Sequence, residues 1–116
     1  MRNNVVKEKS FLFALEIVKV SKYLQEAQRE FVLSKQILRS GTAIGALVRE
    51  SEYAESRADF AHKLAIALKE SNETLYWLDL LHQSSYITLE MYEPLRSYNE
   101  ELMRLLIAIV KSSRSA

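Results

Sequence analysis

The chain has 116 residues, the length of one domain able to enclose a core of its own. It has no cysteine, which excludes disulfides and thiolate metal sites, and only 2 glycines and 1 proline, too few for a turn-rich fold. Lys and Arg number 16 against 15 Asp and Glu, so the formal net charge of +1 announces no polyanion-binding surface.

Four helical segments follow in chain order. In the first, Phe13, Ile17, Val20, Leu24 and Ala27 recur at helical spacing and share one face. Ser10 reads as its N-cap. The stretch "MRNNVVKEKSFLFALEIVKV" is broken by Lys7, Glu8, Lys9, Glu16 and Lys19. Neither a signal peptide nor a membrane span is expected from it, and a cytoplasmic protein with no membrane partner is.

A break near Gln28–Glu30 leads to the second segment, with the stripe Leu33, Ile37, Ser40, Ile44, Leu47, Ser51 and Ala54. Ser56 followed by Asp59 resembles a capping box and starts the third. Its stripe of Phe60, Leu64, Ala67, Ser71, Thr74, Leu78 and Leu81 runs to about Ser84, roughly 40 Å at 1.5 Å per residue. "SSYIT" connects to the fourth segment, with Thr88 as candidate cap and Leu95, Tyr98, Leu102, Leu105 and Ile109 as the stripe. Pro94 lacks an N–H, so either the main helix begins near it or the helix kinks there. The polar tail, residues 112–116, is expected to fray. Four amphipathic helices with short connections predict an all-α, antiparallel up-down-up-down four-helix bundle, one domain over residues 1–116.

Both glycines fall inside the second helix, in "QILRSGTAIGALVRES". Glycine in a helix interior costs about 1 kcal/mol against alanine, so Gly41 and Gly45 need a reason. With Leu38 and Val48 they form a second ridge beside the main stripe. Positions without side chains let two helix backbones approach closely. The ridge therefore predicts a short-range contact with another helix, of the same bundle or of another subunit. Folding the second and third helices back about Ser56 sets Arg39 level with Glu73, and Glu70 lies one turn away. An ion pair among Arg39, Glu73 and Glu70 is expected, fixing register more than adding stability.

"SKQILRSGTAIGALVRES", followed by "DFAHKLAIALKESNETLYWLDLL", resembles the small bacterial four-helix-bundle proteins known as intervening-sequence proteins of large-subunit ribosomal RNA genes. The resemblance runs from about Phe11 to Ile109. It is strongest at Arg39–Thr42, at Ile44–Ala46 and from Glu70 through Leu78. It implies an antiparallel bundle that assembles into a ring-like homopentamer. Some relatives of that family resemble the accessory variability protein of diversity-generating retroelements, a basic pentamer that binds nucleic acid and a reverse transcriptase. The chain departs from the family pattern at Leu47 and Val48, where Asn and Ile are common, and at Arg49, where an acidic or small residue is. Glu50 is retained. The near-neutral charge weakens the transfer of a basic, nucleic-acid-binding role.

Other constellations have simpler readings. Asp59 with His62, and Asp79 with His82, have a spacing that can present two metal ligands on one helix face. The two pairs lie roughly 30 Å apart on one helix and cannot share a dinuclear site, so they read as polar surface. Glu50, Glu52, Glu55, Glu70 and Glu73 lie near Arg39, Arg49 and Arg57, and ion pairing explains them better than acid–base chemistry. No phosphate loop, nucleophile elbow or triad occurs. No catalytic residue, metal ligand or cofactor is expected.

Lys19, Lys22, Arg29, Lys35 and Arg39 cluster toward one end of the first helical pair and are the nucleic-acid candidates. Lys111 and Arg114 join them only if the topology brings the end of the fourth helix there. A five-fold ring would multiply a weak patch through counterion release, although alternating charges usually mark a solvated face. Trp77 lies off the main stripe, so with Tyr76 it marks bundle-edge packing or an oligomer contact. Tyr53, Tyr86, Tyr92 and Tyr98 would add interface area without stacking bases. The reading is a non-enzymatic homo-oligomer, pentameric by the resemblance, with RNA, DNA or a protein as partner. The alternative is a nucleic-acid-binding accessory protein tied to ribosomal RNA or to a retroelement reverse transcriptase.

Overall fold

A computed structural model describes the backbone over residues 2–115 and the side chains over residues 5–115. Four helices account for it: α1 (Arg2–Glu26), α2 (Leu33–Ser51), α3 (Arg57–Gln83) and α4 (Leu89–Ser115). Each packs on its neighbour in sequence and α4 closes back on α1, which sets α1 diagonal to α3 and α2 diagonal to α4. The result is an antiparallel four-helix bundle of 47 × 21 × 19 Å. One core runs its length, with Phe13, Ile17 and Leu24 from α1, Ile37 and Ile44 from α2, Leu64, Leu78 and Leu81 from α3, and Leu102 and Leu106 from α4.

The helix ends differ from the expected ones for identifiable reasons. Ser10 is no N-cap: α1 reaches back to Arg2, and Ser10 is buried inside it with its hydroxyl donating to the Lys7 carbonyl at 3.1 Å. At the start of α2, Glu30 does the capping from outside the helix. Its carboxylate accepts from the backbone N–H groups of Val32, Leu33 and Ser34 at 3.2, 3.0 and 2.8 Å. These are donors that a helix start leaves unpaired. α2 ends at Ser51, before Ala54. Ser56 caps α3 as expected, accepting from the Asp59 N–H at 3.0 Å, while Asp59 accepts from the Glu55 N–H at 3.1 Å. Thr88 caps α4 through the Met91 N–H at 3.2 Å.

α4 runs unbroken through Pro94. The proline removes one donor in the second turn, where both it and Glu90 are exposed, so water can serve the orphaned Glu90 carbonyl. The tail expected to fray is helical as far as Ser115; Ala116 lies outside the described residues. On α4 the inward face is Leu95, Asn99, Leu102, Leu106, Ile109 and Val110, with Tyr98 and Leu105 at its edge. Asn99 is the buried polar member. Its amide donates to the Ser71 carbonyl at 2.9 Å and accepts from the Ser71 hydroxyl at 2.7 Å, which locks α3 to α4.

The chain turns corners without glycine. Arg29 and Ser85 take left-handed backbone conformations, φ 55° and 68°, at the ends of α1 and α3. At Ser85 the N–H bonds the His82 carbonyl and the Tyr86 N–H bonds the Leu81 carbonyl, a Schellman motif that usually has glycine in Ser85's place.

Both glycines sit where α2 meets α1. A Cβ on Gly41 would lie 2.7 and 2.8 Å from the Ile17 Cγ atoms, and one on Gly45 would lie 3.2 Å from the Ser10 carbonyl oxygen. Ile17 is fully buried and stiff at χ1, so it has no room to yield. Gly41→Ala gains about 1 kcal/mol of helix propensity and loses about 1–3 kcal/mol to overpacking. A net loss is expected in chemical denaturation, larger for Gly41→Leu. In an Ile17→Ala background Gly41→Ala should turn neutral or stabilising, and an equal penalty in both backgrounds would refute the contact.

The Glu30 cap has a pH signature. Burial opposes its charge, but the amides of Leu33, Ser34 and Val32 prevail and hold its pKa below the usual carboxylate value. A depressed folded pKa adds stability that is complete above the unfolded pKa of about 4.3 and is lost as pH falls through the folded value. Glu30→Gln should destabilise the protein by about 1 kcal/mol at neutral pH. That difference should shrink below pH of about 4, which paired denaturation curves at the two pH values would measure.

Candidate functional site

The ion pair expected from chain geometry joins α2 to α3. One Arg39 guanidinium nitrogen lies 3.2 Å from Glu70, and the other bonds Glu73. Glu73 also accepts from the Trp77 indole N–H at 2.9 Å. That bond first, and Arg39 second, hold the Glu73 carboxyl below the usual carboxylate range against the opposing effect of burial. Arg39 is half exposed, so the pair adds at most about 1 kcal/mol and acts chiefly on register. Directly inside it the Thr74 hydroxyl donates to the Ser40 hydroxyl at 2.9 Å, a second α2–α3 tie at the same level.

Trp77 is half-buried, packed on the core of its own bundle and edge-on to Tyr76 at 4.9 Å. Tyr76 is 59% exposed, so of the two it is the one that offers surface. The Asp-x-x-His pairs have other employment: Asp59 serves the α3 cap, Asp79 accepts from the Tyr92 hydroxyl, and His82 stacks on Tyr92 at 4.3 Å. Burial first and Asp79 second push the Tyr92 pKa up. Among the described residues no cluster of His, Asp and Glu could hold a metal.

Lys19, Lys22, Arg29 and Lys35 are exposed at the α1–α2 turn end. Lys19 pairs with Glu16 at 3.1 Å, and Arg29 lies 5.8 Å over the Phe31 ring. Lys111 and Arg114 do not join them. Lys9 meets Glu101 at 3.0 Å and Phe13 meets Tyr98, so α4 ends beside the start of α1, at the opposite end of the bundle.

The surface that pattern reading missed is the outer face of α1. Phe11, Leu12 and Leu15 are 51, 46 and 45% exposed, although the opposite face of the same helix supplies Phe13, Ile17 and Val20 to the core. Leu12, Leu15 and Val18 line a groove of about 1000 Å³ whose other wall is Met91, Pro94 and Leu95 of α4. The signal was present in "SFLFALEIVKV", which is apolar on both sides of its helix. Among the described residues no helix is long and apolar enough to cross a membrane.

The family model described as 23S rRNA-intervening sequence protein matches residues 2–108. A crystal structure of a protein of unknown function from the S23 ribosomal protein family of Bacteroides thetaiotaomicron superimposes with a TM-score of 0.94. It is 58% identical, over 96% of this chain and 99% of that one. No curated protein matches the chain.

Trp77 is the only tryptophan and reports directly on the charged seam. Its emission should change as pH falls through the depressed Glu73 pKa, below the ordinary value of about 4.3. Glu73→Gln should abolish that transition, and Arg39→Met should move it upward. A transition that survives Glu73→Gln would assign it elsewhere.

Proposed function

The chain belongs to the 23S rRNA-intervening sequence protein family, and from that premise we propose that it works without catalysis, as a self-assembling helical interaction protein of the cytoplasm. The shifted titratable groups fit this: they serve caps, ion pairs and interhelical hydrogen bonds rather than a reaction centre.

The observation that carries the reading is the outer face of α1. Burying a side chain the size of Leu12 or Leu15 is worth about 1.5–3 kcal/mol, and a contiguous apolar face of this kind marks an interaction surface. A ring requires two different surfaces per subunit. α3 lies diagonally across from α1 and exposes Tyr76 and Leu80 one turn apart. The Arg39–Glu73 and Gly41–Ile17 contacts put Tyr76 near the level of Lys22 on α1, beside the groove between Leu12 and Tyr23. Subunits standing side by side would bring the two surfaces together at one height. The family resemblance sets the proposed number of copies at five.

A second reading, a nucleic-acid-binding accessory protein, is favoured by one feature. Lys22, Arg29 and Lys35 make no ion pair among the described residues and lie at one end of the bundle. Oligomerisation would repeat that end around a ring, which favours phosphate contacts through counterion release. A mobility shift with structured RNA and with duplex DNA over a range of salt tests it, and no binding at low salt dismisses it.

Light scattering should return a mass five times that of the subunit. Leu15→Glu should lower it to that of one subunit with helicity unchanged. A wild-type protein that is monomeric at high micromolar concentration, or a Leu15→Glu variant that keeps its mass, would refute assembly through this face.

A further inference from the structure

The other seam of α1, against α2, holds a second cleft of about 540 Å³, inside the range of roughly 300–1,000 Å³ occupied by small-molecule sites. Small residues line it: Ala14 from α1 with Gly45 and Ala46 from α2. The same lack of a side chain that lets Gly45 approach Ser10 leaves this space open. Its larger lining residues are Phe11, Arg49, Tyr53, Lys7 and Glu50, the last paired with Lys63 at 3.4 Å. Phe11 is 51% exposed and Tyr53 85%. The Arg49 guanidinium carbon lies 5.8 Å over the Phe11 ring and meets no carboxylate at ion-pair distance among the described residues. Lys7 pairs with Glu52 at 2.9 Å, but both side chains are over 40% exposed, so that pair is weak enough to exchange for a ligand.

We propose that this cleft binds a nucleotide unit, with the planar base stacked on Tyr53 and the Arg49–Phe11 pair and the phosphate held by Arg49 and Lys7. Phe11, Arg49, Tyr53 and Lys7 each have a use in that assignment, while the Glu50 carboxylate is paired with Lys63. Aromatic faces and guanidinium planes stack bases whatever their sequence. A guanidinium positioned on an aromatic ring and free of carboxylates presents its N–H fork to phosphate. An aliphatic ligand would leave Arg49 unused, and a simple polyanion would leave Tyr53 and Phe11 unused. The chemistry is common to a free nucleotide and to an unpaired nucleotide in a single strand. The site departs from the sequence reading of Tyr53 as interface area. It also lies at the opposite end of the bundle from Lys22, Arg29 and Lys35 and on the opposite side of α1 from the groove against α4, sharing only Phe11 with the outer face assigned to assembly.

The test is fluorescence polarisation at low salt with a short labelled single-stranded oligoadenylate, and isothermal titration with ATP. Arg49→Ala and Tyr53→Ala should each weaken binding about tenfold, Tyr53→Phe should retain it, and the Lys22→Ala/Lys35→Ala double variant should bind as the wild type does. Binding of ATP assigns the site to free nucleotides, and binding of the oligonucleotide alone assigns it to single strands. No binding of either probe overturns the proposal. So does loss of binding only in the lysine double variant, or full displacement by polyglutamate with Tyr53→Ala indistinguishable from wild type. Light scattering on the same variants separates this site from assembly: a fall in mass for Arg49→Ala or Tyr53→Ala would make the cleft a subunit contact and also overturn it.

Discussion

The distance between α1 and α2, set by two positions on α2 that carry no side chain, governs the shape of the bundle. Gly41 admits Ile17, and Gly45 admits the backbone of Ser10. Small polar residues continue the same logic along the seams. Ser21 donates to the Ser34 carbonyl between α1 and α2, and Ser40 pairs with Thr74 between α2 and α3. Each is small enough for close approach and finds its partner across the gap or in its own helix. Among the described residues no buried side-chain nitrogen or oxygen is left without one. The seam on the other side of α1 is built from Phe13, Tyr98, Tyr23 and Met91, and α1 packs less closely there. Drawing α1 toward α2 thus leaves a groove against α4, and the outer leucines of α1 border it.

Periodicity made most of this architecture legible. The α1 stripe is buried as read at Phe13, Ile17, Val20 and Leu24, though Ala27 falls exposed beyond the helix end, and the run from Leu64 to Leu81 on α3 is buried too. Ser56 with Asp59 identified a helix start because capping is local chemistry, the Ser56 hydroxyl accepting from the Asp59 N–H three residues on. The Arg39 pairing with Glu73 and Glu70 followed from counting outward from one turn, which works because antiparallel neighbours advance at the same rise per residue.

What escaped the sequence depends on context that periodicity does not contain. Ser10 looks like a cap by residue type, yet its small volume is what the Gly45 contact needs, and a helix can satisfy a serine internally. Glu30 caps α2 from outside because the chain bends back there through Arg29 in a left-handed conformation, a corner no composition rule assigns to arginine. On α4, Tyr98 and Leu105 shared a plausible stripe with Leu102. The true inward face is rotated to include Asn99 and Leu106, since the Asn99 amide finds both its partners on Ser71 only in that orientation. A polar residue at the centre of a core is invisible to a search for apolar repeats.

The functional question turns on what remains unsatisfied once the helices have packed. Among the described residues seven ion pairs engage part of the surface charge, including Arg39, Lys7, Lys9, Lys19 and Lys63. A charge committed to a neighbour in the same chain contributes little to long-range steering, which suits the near-zero net charge. Beside Lys22, Arg29, Lys35 and Arg49, cations unpaired among the described residues, the bundle leaves apolar side chains exposed: Phe11, Leu12 and Leu15 on α1 and Tyr76 with Leu80 on α3. Water penalises such faces in proportion to their area, and the penalty is relieved only by contact. On the proposed reading, a bundle with satisfied buried polar groups and apolar strips on opposite sides would meet other molecules by shape, with charge playing a local part where Arg49 sits over Phe11.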